Sequence, residues 1–199
     1  MLLLRGTLFV TGLGLSACTT AQESSGDGAL GQWQGQWRAG EGLLRDDALD
    51  PVYEIVSEMR PEYPPGEVRA LMIESAEVDY DVVEFDGDVL TFLVNAQPLC
   101  SGTYAFVETH EGGHHAQTEF SLSHELAGDC TDYATVWLSE IIFSESEAHF
   151  HIQTGRSDEP LRPPPWDPSA WTMSTSPEFF AGVMHGVAPA IAEALPEKG

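Results

Sequence analysis

The chain has 199 residues, with 32 Asp and Glu against 8 Lys and Arg, for a net charge of −24. That length suits one domain of ordinary size with a real core. The charge excludes binding to nucleic acid through phosphates, which needs a basic face, and it sets the chain against anionic headgroups. Such acidity mostly keeps a surface soluble, and it also raises the local concentration of cations.

The start of the chain reads as an export signal. Met1 to Arg5 gives a short positive start, and residues 7–17 form an apolar run too short to span a bilayer. It ends in Leu15-Ser16-Ala17-Cys18, which resembles the lipobox of bacterial lipoproteins, where the cysteine is lipidated and becomes the first mature residue. Residues 1–17 are therefore expected to be a lipoprotein signal peptide. Residues 18–29, small and polar, read as a flexible tether, and residues 30–199 as the domain. The expected location is the bacterial cell envelope, facing the periplasm, with membrane contact only through the lipid. With Cys18 set aside, Cys100 and Cys130 remain. An even pair in an oxidising compartment suits one disulfide; metal ligation is the other use, and no CxxC spacing supports it.

The domain opens on Trp33-Gln34-Gly35-Gln36-Trp37, a strand with a bulge or a tight turn. A helix is expected from Leu49 to Arg60. Asp50 suits the cap, Pro51 the first position, and Leu49, Val52, Tyr53, Val56 and Met59 recur at helical spacing. A shorter helix is expected from Glu67 to Ser75. The period then becomes two. Runs 81–85 and 89–94 flank Asp86-Gly87, a hairpin signal. Further strands are expected at 102–109, 117–123, 133–143 and 149–154, then a proline-rich connection at 160–168 and a return to the sheet at 171–174. Ser176-Pro177-Glu178 opens a last helix, which Pro189 should kink or shorten. The fold class is mainly β with added helices. A meander of six to eight strands closes into a barrel to remove its edges, with helices before and after it.

The most informative stretch runs from Ser139 to Ile152. Residues two apart on a strand share a face, so His149 and His151 project together, opposite Phe150. If the preceding strand pairs through a tight turn near 144–146, Glu140 falls opposite one of the two histidines. Opposed Cβ atoms lie about 5 Å apart, which suits three ligands on one ion. Two imidazoles and a carboxylate form a common zinc set with a fourth position open. The competing reading is a hydrogen-bonded histidine network. A second cluster, His110-Glu111-Gly112-Gly113-His114-His115, reads through its glycines as a loop between strands that either supplies a fourth ligand or is merely polar. His124 and His185 read as structural.

Several segments, in this order, resemble the ZinT/YodA family of periplasmic zinc-binding proteins. Trp33-Gln34-Gly35-Gln36-Trp37 resembles its W-Q-G-x-W opening, and Leu49 to Glu54 its L-D-P-V-F-E. Residues 83–88 resemble its first hairpin, and Ala148-His149-Phe150-His151 its H-F-H segment. The resemblance covers roughly residues 30–190. It implies a lipocalin-like antiparallel barrel with helical additions and a three-histidine zinc site at the barrel mouth. Two of those histidines match His149 and His151. The third position, in a D-H-I-I segment, falls on Glu140. A carboxylate there remains a competent ligand but adds charge and hardness.

The metal ligands expected are thus Glu140, His149 and His151, with Zn2+ or another divalent metal bound for storage or delivery to an uptake system. The partner implied is the substrate-binding protein of a zinc ABC transporter. No enzyme motif such as G-x-S-x-G or a P-loop is present, and no enzymatic activity is expected. A lipocalin-like binder of small apolar ligands is the alternative, and it requires a wide apolar cavity. A metal-dependent hydrolase is the other, and it requires a general base beside the ion.

Overall fold

The computed structural model describes residues 29–111, 115–144, 147–158, 161 and 168–198. The expected signal peptide, the lipidation site Cys18, His114 and most of the proline-rich connection lie outside the described residues.

Nine strands form one antiparallel sheet. They are β1 (Gly35–Ala39), β2 (Val82–Asp86), β3 (Val89–Val94), β4 (Gln97–His110), β5 (Gln117–Gly128), β6 (Thr135–Ser139), β7 (Ile142–Ser144), β8 (Glu147–Gly155) and β9 (Ser169–Thr172). Their order is β6-β5-β4-β3-β2-β1-β9-β8-β7, and β6 also pairs with β8. That last pairing closes an eight-stranded barrel, with β7 extending the β8 ladder beyond it.

Turn chemistry sets the register. Asp86 pairs with Val89, so the first hairpin turns on Gly87-Asp88, with Gly87 at φ +62°. Val94 pairs with Gln97, and the next turn places Asn95 and Ala96 at φ +50° and +59°. Both are the two-residue connections that match strand twist. The long β4–β5 hairpin shifts register at three places, which bends it around the barrel.

The barrel interior is filled. Trp33, Phe85, Phe92, Phe120, Phe150, Leu90, Leu138 and Ile152 are all buried within it. Trp33 stands edge-on to Phe120 at 5.7 Å, and Phe150 edge-on to Trp37 at 5.0 Å. An organic ligand would have to displace these rings, which removes the cavity that the apolar-ligand alternative requires. The Cys100–Cys130 disulfide forms, with both residues buried, and it ties the start of β4 to the turn that follows β5.

A second core lies outside the barrel. It packs α1 (Glu41–Leu44), α2 (Asp50–Met59), α3 (Pro65–Ser75) and α4 (Pro177–Ala194) around Trp171 of β9. The spacing that predicts a helix over 49–60 yields α2, with Val52, Tyr53 and Val56 buried. The helix α4 is capped by the Ser176 hydroxyl, which accepts from the Phe179 N–H. It runs through Pro189 instead of ending there. Pro189 and His185, whose carbonyl loses its partner, are both exposed, so water can solvate that carbonyl. Phe180, Ala188 and Ile191 on the other face keep the helix docked. Arg60 closes its far end, donating to the carbonyls of Ala192 and Pro196 at 2.8 and 3.0 Å.

Two boundaries differ from expectation. The strand expected over 133–143 divides into β6 and β7. Leu138 pairs with Ile152 but Ile142 pairs with His149, so residues 139–141 span the stretch that β8 covers with 150 and 151. His110, expected in a loop, is instead the last residue of β4.

Candidate metal centre

The strand β8 alternates strictly. Ala148, Phe150 and Ile152 enter the barrel core, so His149 and His151 project from the opposite face of the wall. The expected pair therefore forms, but on the outer side, beside the helical layer. Their ring centroids lie 5.6 Å apart with planes at 76°. Two imidazoles bound to one tetrahedral zinc have centroids about 5 Å apart.

His149 is held by a wall of aromatics. It pairs with Trp171 across the β8–β9 ladder, and the rings stack at 4.1 Å with planes 10° apart. Trp171 is fixed in turn by donating from Nε1 to Ser169 Oγ at 2.9 Å and by the edge of Phe180 at 5.0 Å. The Nδ1 atom of His149 is buried and has no hydrogen-bond partner. A buried nitrogen without a partner is costly, and a metal ion would satisfy it. Burial, then the neighbouring His151 and His115, lowers its pKa to about 4. His149 is thus neutral at pH 7, the form a metal requires.

That shift has a consequence for stability. An unfolded imidazole takes its proton near pH 6.5, the folded His149 only near pH 4. Between those values the unfolded chain binds the proton and the native chain does not, so stability falls as pH drops from 6.5 to 4. The shift corresponds to at most about 3.4 kcal/mol, and partial exposure reduces this to about 1–2 kcal/mol. Chemical denaturation of metal-free protein at pH 6.5 and 4.5 will show a larger loss for wild type than for His149→Asn. Equal losses would contradict the placement of His149.

His151 is anchored through its backbone, whose N–H donates to Ser139 Oγ at 2.9 Å. That hydroxyl donates in turn to the Glu140 carbonyl, while the Ser139 carbonyl accepts from Trp33 Nε1 at 3.0 Å. Ser139 therefore pins the break between β6 and β7 to the barrel core. At the other end of β8, the Glu147 carboxylate accepts from the hydroxyls of Thr172, Ser174 and Thr175. The Thr172 bond is the chief cause that holds its pKa below the usual carboxylate range.

Glu140 lies in that break, outside any strand, and is exposed. The direct cross-strand opposition expected for it does not form, because the extra residue at 139–141 intervenes. Among the described residues, the donors of Glu140, His149 and His151 do not all lie within 4.8 Å of one another. His115 also adjoins the pair, with its ring 5.4 Å from that of His151 and nearly parallel to it.

Among the described residues, the trio whose donors do lie within 4.8 Å of one another is Glu108, His110 and Glu119, on the β4–β5 hairpin. His110 Nε2 and Glu119 Oε2 are 2.6 Å apart, and Trp137 backs the His110 ring at 4.3 Å. Sequence reasoning grouped His110 with its loop neighbours and missed this set. The i, i+2 spacing of Glu108 and His110 was the available signal, but Glu119 joins them only through the bulged register of the hairpin. One imidazole nitrogen is already occupied by Glu119 there, whereas His149 Nδ1 has no partner. His124 and His185 are exposed, and neither belongs to the clustered donors among the described residues.

A closed eight-stranded antiparallel barrel with helices packed outside it is a ZinT-like fold. Among solved structures it is similar to the Zn(II)-bound ZinT-like domain of Streptococcus pneumoniae AdcA, with a TM-score of 0.58 and 18% identity, over 82% of this chain and 93% of that one. It is also similar to Zn(II)-bound AdcA from Streptococcus pneumoniae, with a TM-score of 0.59 and 18% identity over 80% of this chain, but spans only 36% of that chain. No protein-family model and no curated protein matches the sequence.

Proposed function

We propose that this chain binds zinc, or a similar divalent metal, as cargo through His149 and His151, with Glu140 at the adjoining break as a further oxygen donor. The observation that carries this reading is the buried, partnerless Nδ1 of a neutral His149, set 5.6 Å ring to ring from His151. The Zn(II)-bound state of both similar AdcA structures supports it. In this reading the protein stores or delivers metal in the bacterial envelope. Cys18 carries its lipid anchor, and the substrate-binding protein of a zinc ABC transporter receives the ion.

Zinc affinity of the untagged mature protein, measured by competition with a chromophoric chelator, tests this. The His149→Ala/His151→Ala variant should bind at least about 100-fold more weakly than wild type. Affinity within twofold of wild type would sink the reading.

The hydrolase alternative gains nothing from the geometry. Glu147, the carboxylate beside the pair in sequence, is engaged by three hydroxyls and held ionised rather than poised as a base.

A further inference from the structure

We propose that His115, from the connection between β4 and β5, is the third imidazole ligand of the ion held by His149 and His151, and that the site therefore selects borderline transition-metal ions over magnesium and calcium. This rests on the metal-binding reading above.

The placement follows from the ladder. Gln117, the first residue of β5, pairs with Ser139 of β6. The Ser139 hydroxyl holds the backbone N–H of His151. The hairpin is therefore tied to the histidine strand at the level of the site. Two residues before Gln117, the His115 ring lies over that of His151, 5.4 Å away with planes 19° apart. The His149–His151 separation is 5.6 Å. The crossed His149–His151 pair has the roughly 5 Å separation expected for imidazoles sharing one tetrahedral zinc, whereas the His115 ring, stacked parallel on His151, is within reach but must turn before its nitrogen points at the same ion. Three ring contacts follow one another, Trp171 to His149, His149 to His151 and His151 to His115.

The donors of the three histidines are not yet all within 4.8 Å of one another. His115 is exposed, so a change of rotamer moves its nitrogen without disturbing the core. His149 cannot move in this way against Trp171. The two β8 histidines are then the fixed ligands and His115 the adjustable one. Chemistry points the same way: three neutral imidazoles suit zinc, cobalt, nickel and copper, whereas magnesium and calcium require oxygen donors. Glu140 is left as an exposed carboxylate able to serve at the fourth position.

The test compares His115→Ala, Glu140→Gln and His149→Ala/His151→Ala in the full mature protein. Zinc affinity is measured by chelator competition, and the ligand field by the visible spectrum of bound cobalt(II). Metal-free His115→Ala should unfold like wild type, since the side chain is exposed. It should bind zinc about 10–100-fold more weakly. Its cobalt spectrum should shift as water replaces an imidazole, whereas Glu140→Gln, which keeps an oxygen donor and loses only its charge, should weaken zinc binding less than His115→Ala does. If His115→Ala keeps wild-type affinity and spectrum while the double variant loses the ion, the third-ligand proposal is wrong and the binding site stands. If the double variant binds like wild type, the metal-binding reading itself fails. A wild-type protein that binds magnesium as tightly as zinc would overturn the selectivity.

Discussion

Phe150→Ala is expected to destabilise the metal-free protein by about 3–5 kcal/mol. Phe150 is fully buried and stands edge-on to Trp37 at 5.0 Å and to Phe85 at 5.8 Å. Its removal takes a ring from the centre of the barrel and leaves a cavity that the closed sheet cannot collapse around. The residue also lies between His149 and His151 in the chain. The strict alternation of β8, which sets both histidines on one face, depends on Phe150 being held on the other. The variant should therefore lose zinc affinity as well as stability. A shift in denaturation midpoint equivalent to less than about 1 kcal/mol would contradict the packing described for the barrel interior.

Loss of the disulfide is expected to have the next largest effect. Cys100 and Cys130 are separated by 30 residues and are both buried. Closing a loop of that size constrains the unfolded chain by about 3–4 kcal/mol. The loop is the β4–β5 hairpin, which carries Glu108, His110, His115 and Glu119. Cys100→Ala/Cys130→Ala should lower stability by roughly that amount, and reductant should do the same to wild type but nothing to the variant. A variant as stable as wild type would show that the hairpin base is held by its ladder alone.

Much of the fold is legible in the residues. Asp50-Pro51 and the apolar spacing after it mark α2, Ser176-Pro177 marks the start of α4, and Asp86-Gly87 marks the first hairpin. The pairing of Cys100 with Cys130 follows from counting. What escapes is decided by tertiary context. Pro189 does not end α4, because its exposed face tolerates a free carbonyl while its buried face is held by α2 and Arg60. The four-residue α1 has no period to detect.

The site is legible in part for the same reason. Period-two spacing puts His149 and His151 together but does not say on which side of the wall. The neighbours do: Ala148, Phe150 and Ile152 are the apolar set, so the histidines belong outside the barrel. The position of Glu140 depends on register, and an extra residue between Ser139 and Ile142 removes the direct opposition that simple hairpin counting predicts. The register shifts in β4–β5 likewise hide the approach of Glu119 to His110.

The most direct test of the central claim is to locate the ion itself. A crystal of the zinc-loaded protein, with anomalous scattering recorded on both sides of the zinc edge, gives its position independently of any mutation. The account predicts one strong anomalous peak about 2 Å from a ring nitrogen of His149 and of His151, beside the Trp171 ring. A peak at Glu108, His110 and Glu119 with none at His149 would contradict it.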